Sequence, residues 1–234
     1  MKVEIITPTE LNEIPLKHYQ EFIKVYNSGS DETFIAEKMV QIFCGLKLSD
    51  VINIKATDVF SVVESLNKIF NKKPQFQHRF MLGDIEFGFI PNFDEISTGE
   101  YIDLENYIKD FDNMHKAMAV VYRPIIAKDK DKYSIAKYTG ADEFAEAMKY
   151  APLGTTLAMN VFFWNLRNDL LKGLITFLGM EIKKMNLTND ISSENSGVGT
   201  QQSINLQMEM LQNLMKSQEQ DFLNPLPFLH TNRN

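Results

Sequence analysis

Cysteine is nearly absent from this chain. Cys44 is alone among 234 residues, so no intrachain disulfide can brace the fold, and a reducing compartment fits that composition. Positive charge is also scarce: 24 Lys and Arg stand against 31 Asp and Glu, a formal net charge of -7. Such a balance works against attraction to nucleic acid phosphates, so direct nucleic acid binding is not expected. Long uninterrupted apolar runs are missing too. The most apolar stretch, LAMNVFFWNLRNDLLKGLITFLGM, carries Arg167, Asp169 and Lys172 at its centre, which breaks any apolar span of about eighteen residues and excludes a membrane partner on this reading. The N-terminal MKVEIITPTE lacks the apolar region of a signal peptide.

Sequence-local chemistry is equally thin. The four histidines, His18, His78, His115 and His230, show no H-x3-H or H-E-x-x-H spacing, and a lone cysteine makes no C-x-x-C. Neither a metal nor a cofactor is expected. GDIEFG lacks the Lys-Ser/Thr of a phosphate loop and leads into a strand pattern rather than a helix. The acids Asp94, Glu95, Glu100, Asp103 and Glu105 do not follow a calcium-loop spacing and read as acids favoured near a helix start. Trp164, in FFWN, reads as core. Asp112 and His115 stand one helical turn apart, a spacing that suits a local hydrogen bond. Arg123 in YRP sits where a cation is favoured beside the last carbonyls of a helix.

What is present is helical periodicity. Hydrophobic residues make up 44% of the chain, enough for a sizeable core. After a β-like start over Val3 to Ile6, Leu16, Tyr19, Ile23 and Tyr26 form a stripe behind Pro15. Asp31 is placed to cap a second helix carrying Ile35, Met39, Ile42 and Phe43, and Thr57 a third carrying Val59, Val62, Val63, Leu66 and Phe70. FQHRFMLGDIEFGF reads as a hairpin around Gly-Asp, and VYRPIIAKDKDKYSIAKY as a second one, so two small hairpins are predicted near 79 to 89 and 122 to 137. Ser97 and Glu100 have capping-box spacing, which predicts a helix from Ser97 through Ile108. Further helices are predicted around Phe111 to Val121, from Glu143 to Tyr150, and from Pro152 to about Met185, the last running through the core between Leu157 and Leu166.

The fold class is therefore mainly α, of the α+β type: a helical globular domain over 1–185 with two small β-hairpins. Residues 186–203, poor in large apolar residues and rich in Asn, Ser and Gly, read as a flexible linker. Beyond it, 204–234 reads as an amphipathic helix and apolar tail for partner docking, with Ile204, Met208, Leu211, Leu214, Met215, Phe222, Leu226 and Phe228 as the binding residues. Three of the chain's 12 methionines lie in this helix and supply adaptable apolar contacts. NEIPLKHYQEFI and DEISTGEYIDLENYI align on Glu13 with Glu95, Ile14 with Ile96 and Tyr19 with Tyr101, which reads as shared capping grammar more than duplication.

The text FGFIPNFDEISTGEYIDLENYI followed by DNMHKAMAVVYRPI resembles small proteins of tailed bacteriophages, including crAss-like phages, encoded among virion and assembly genes. The similarity covers Val3 to about Met185. It implies a non-enzymatic, protein-binding role, either a tail-assembly chaperone or a neck, ring or tail adaptor. Partners would be other phage structural or assembly proteins, with homo-oligomerisation as a further option. The place of action would be the host cytoplasm during assembly and, for an adaptor, the neck or tail of the virion. The competing reading is a small enzyme or nucleotide-binding protein whose site is assembled around Asp112, His115 and Arg123.

Overall fold

The computed structural model describes residues 5–130, 132–189 and 205–213. The chain divides into two compact units, Met1–Asn160 and Val161–Asn234. The division falls inside the longest helix, not after Met185.

In the first unit, helices α1 (Leu16–Asn27), α2 (Glu32–Phe43), α3 (Leu48–Val51) and α4 (Ala56–Phe70) come first. Their interior is stitched by aromatic rings. Tyr19 lies 5.8 Å from Phe70, Phe70 lies 5.1 Å from Phe43, and Phe43 lies 5.3 Å from Phe22. Edge-to-face and tilted pairs of this kind add to the area they bury. Asp31 caps α2 through Phe34 N, as its spacing predicts. Thr57 does not cap α4. The helix begins one residue earlier, at Ala56, behind Lys55, and the Thr57 hydroxyl turns to Asp58 within the first turn. The short α3 carries no periodicity long enough to read. Val3 and Glu4 lie outside the described residues, and Ile5 and Ile6 are in no strand.

The predicted hairpins are present as β1 (Arg79–Leu82) with β2 (Ile85–Phe89) and β3 (Tyr122–Asp129) with β4 (Lys132–Ile135). They are joined: β2 also pairs antiparallel with β3, giving one four-stranded sheet in the order β1-β2-β3-β4. Between them come α5 (Thr98–Tyr107) and α6 (Met114–Val121), and α6 passes into β3 with no intervening loop. Every residue of α6 from Ala117 to Val121 is at most 1% exposed, so the second half of this helix is buried on all sides. One sheet face is aromatic: Tyr122 lies 5.0 Å from Phe80 and 5.2 Å from Phe89, and its hydroxyl donates to Gln77 O.

The other sheet face is held by Tyr133. Its hydroxyl donates to Phe89 O at 2.8 Å, and its ring crosses Gly88, where a Cβ would sit 2.5 Å from Tyr133 Cε2 and 2.9 Å from Ile125 Cγ1. Glycine is required there by space, not by backbone angle.

Helices α7 (Asp142–Met148) and α8 (Leu153–Asn189) follow. The start of α8 is tied to the start of α1 by Leu16 N to Ala151 O and Leu153 N to Ile14 O, with Pro15 and Pro152 in a β-bridge. Asn12 Oδ1 accepts from Thr155 N and caps α8 from across the chain. Residues Leu153–Asn160 are buried. Beyond Asn160 the expected run through the core stops, and side chains from Val161 to Lys184 are half-buried or exposed. Residues 186–189, expected in the linker, continue α8. A ninth helix, α9, spans 205–213.

The two aligned segments share local geometry only. In each a 3₁₀ turn, Leu11–Glu13 or Phe93–Glu95, leads through Ile14 or Ile96 into a helix start. Tyr19 is 1% exposed and Tyr101 56%, so their packing is not repeated.

Gly88→Ala should lower stability by about 1–3 kcal/mol, the usual cost of overpacking a filled site, read by urea denaturation. In a Tyr133→Ala background, where the ring is gone, the same Gly88→Ala change should cost less than it does in wild type.

Candidate functional site

The stretch from Phe87 to Ile108 turns a strand into a helix around one buried carboxylate. Beyond β2, Ile90 N donates to Val121 O at 2.9 Å, and Asn92 Oδ1 accepts from Asp94 N at 3.1 Å. Ser97 then caps α5. Its Oγ accepts from Glu100 N at 3.3 Å, while Glu100 Oε2 accepts from Ser97 N at 2.8 Å and from Ser97 Oγ at 2.6 Å. The other carboxylate oxygen, Oε1, accepts from Arg123 Nη2 at 2.5 Å. Glu100 is 7% exposed and Arg123 6%.

Burial pushes the Glu100 carboxyl up, but the hydrogen bonds from Ser97 and the Arg123 charge outweigh it and leave the group below its usual range. Arg123 also lies 5.5 Å from the Tyr138 ring centroid, and the Tyr138 hydroxyl donates to Asp103 Oδ2 at 2.5 Å. Burial, followed by the Asp103 hydrogen bond, raises the Tyr138 hydroxyl. A carboxylate that is buried, ionised and occupied on both oxygens is fitted to hold structure rather than to exchange protons.

Asp112 and His115 are engaged elsewhere. Gln20 Nε2 lies 2.8 Å from Phe111 O, 3.0 Å from Asp112 O and 3.2 Å from His115 Nδ1. The Asp112 carboxylate meets Lys24 at 3.4 Å on the exposed surface. Burial, then the nearby Lys149 charge, lowers His115. Arg123 has a different set of partners, so the structure does not assemble these three around a common centre. Among the described residues no three His, Cys, Asp or Glu side chains are grouped to hold a metal. A cavity of about 180 Å³ beside Lys72 and Lys73 borders the start of α8 at Gly154, an end that Asn12 already caps.

Among the described residues, α8 carries the longest run of exposed large apolar side chains on one helix. Leu166, Leu170, Leu174, Phe177 and Met180 are 38%, 66%, 45%, 57% and 56% exposed. Their spacing of 4, 4, 3 and 3 keeps them on one side of the helix. The opposite side carries Asn168, Leu171, Ile175, Leu178 and Ile182, all half-buried. On α9 the most exposed apolar residues are Leu206 at 59% and Met210 at 64%. Of the sequence-predicted docking residues, Met208 and Leu211 are on α9 and half-buried. Ile204, Leu214, Met215, Phe222, Leu226 and Phe228 lie outside the described residues.

Reading α8 as core missed its exposed face. The signal was in the text: two opposed apolar stripes over Leu166 to Ile182 suit a helix that packs on both sides. Among the described residues no helix is long and apolar enough to cross a membrane. No protein-family model matches the chain, and no curated protein and no solved structure does either.

Ser97→Ala should lower stability by about 1 kcal/mol, the usual worth of an N-cap, without loss of partner binding. Glu100→Gln leaves Arg123 buried and uncompensated and should cost about 3–5 kcal/mol near neutral pH. Because the folded-state value of Glu100 is depressed, its contribution is present above the unfolded value of about 4.3 and is lost as pH falls through the folded one. The gap between wild type and Glu100→Gln, measured by urea denaturation, should therefore narrow steadily below pH of about 4.3.

Proposed function

We propose that this chain is a non-enzymatic, protein-binding component of tailed-phage virion assembly, acting as a tail-assembly chaperone or as a neck, ring or tail adaptor. The observation that carries the protein-binding part is the set of large apolar side chains left in water along α8 and α9, from Leu166 to Met210. Apolar side chains grouped along one exposed helix face mark interaction sites, and methionine suits surfaces that adapt to more than one partner. The phage setting rests on the resemblance of the Phe87 to Ile125 text to virion and assembly proteins. On this reading the partners are other phage structural or assembly proteins, met in the host cytoplasm during assembly. The docking segment is 204–234, for which α9 supplies the described part.

Two features support this reading over a site built on Asp112, His115 and Arg123. Arg123 is committed to Glu100 and Tyr138, and His115 is held by Gln20.

The test is co-purification of the full chain with the products of neighbouring genes, with the chain sought in mature virions. Presence in virions at defined copy number is expected for an adaptor, and absence with capture of a tail precursor for a chaperone. Leu206→Asp with Met210→Asp should weaken the captured complex by at least about tenfold, or 1.4 kcal/mol, at unchanged melting temperature. Capture of no neighbouring product, with absence from virions, would contradict the proposal.

A further inference from the structure

We infer that the exposed face of α8 is a self-association site, on which α8 of a second copy of this chain lies antiparallel. It rests on the protein-binding reading and deepens it, giving the α8 face an occupant of its own beside the docking of 204–234. Leu166, Leu170, Gly173, Phe177 and Met180 recur at spacings of 4, 3, 4 and 3, the repeat of a helix that packs along a partner helix. Four of the five are exposed large apolar residues, and the fifth is a glycine in the helix interior. Glycine disfavours a helix there, and nothing among the described residues demands it: a Cβ at Gly173 would meet none of their atoms within 4 Å. A helix closely apposed from outside would demand it.

The stripe contains both the gap and the group that fills it. Leu170 lies one turn before Gly173, so a two-fold axis between them sets Leu170 of each protomer over Gly173 of its partner. The same register sets Leu166 of each protomer against Phe177 of its partner. One patch is then complementary to itself, as an isologous interface requires. A parallel pair in register would instead stack Gly173 on Gly173 and Phe177 on Phe177, leaving a void beside a crowded layer. Asp169 and Lys172, 3.7 Å apart and exposed, fall at the rim, where charge is tolerated. At about 100 Å² for each large apolar side chain, Leu166, Leu170, Leu174, Phe177 and Met180 withdraw on the order of 500 Å² per protomer and about 1,000 Å² per pair. That reaches the lower bound for a specific interface.

Sedimentation equilibrium of the full chain is the test. Wild type should be dimeric at about 100 µM, and Leu170→Glu should weaken the dimer by more than about tenfold. Gly173→Gln strengthens α8 as a helix while filling the gap, so it should weaken the dimer similarly without unfolding anything. In a Cys44→Ser background, Leu166→Cys and Phe177→Cys proteins should form a disulfide when mixed, and neither should cross-link alone. A monomeric wild type, as when the chain's own 204–234 covers the face, would overturn the proposal. So would a Gly173→Gln dimer as tight as wild type, or self-cross-linking of Leu166→Cys, which requires a parallel pair.

Discussion

Glu100 holds two elements with one buried carboxylate. Through Oε2 it closes the capping box at Ser97, and through Oε1 it neutralises Arg123 at the start of β3. The start of α5 and the strand that receives the end of α6 are thus fixed to the same atom group. Burying an ion pair gains little against an apolar filling of the same shape, whereas separating one costs several kcal/mol. The physical effect of the pair is therefore on arrangement. A register of β3 that moved Arg123 to the other sheet face would strand both charges without water, because the face alternates with every residue.

Around that constraint the first unit is closed by rings and by small residues. Tyr19, Phe22, Phe43 and Phe70 link α1, α2 and α4, while Tyr133 crosses the outer face of the sheet where only Gly88 leaves room. The start of α8 belongs to this closed part, buried from Leu153 to Asn160 and capped by Asn12. From Val161 onward the same helix keeps its apolar composition and loses its burial. Leaving a side chain such as Leu170 or Phe177 in water forgoes up to about 1.5–3 kcal/mol each, the drive for the self-association proposed for that face.

Local features were legible in the sequence and long-range ones were not. The capping box at Ser97 and Glu100 and the Asp31 cap were readable because partners three residues apart must meet when a helix forms. The two hairpins were readable from alternation and turns, but their union through β2 and β3 depends on pairing Phe89 with Tyr122, which no local pattern states. Thr57 was misplaced because Lys55 has the extended backbone of an N-cap without a capping side chain. Arg123 was legible as a cation near a helix end, yet its partner Glu100 lies 23 residues away in sequence. The exposure of α8 was hidden because an apolar helix reads alike whether its neighbours come from its own chain or another. The two opposed stripes and Gly173 were the available clues.

The first unit is a closed scaffold, and from Leu166 to Met180 the second half of α8 leaves large apolar side chains in water. Hydrogen exchange of the full chain, followed by mass spectrometry at low and high protein concentration, asks whether a second copy covers that face. Amides of 161–184 should become more protected as concentration rises, while those of α5, α6 and β3 stay unchanged. Protection of 161–184 that is already strong in dilute solution and independent of concentration would contradict it.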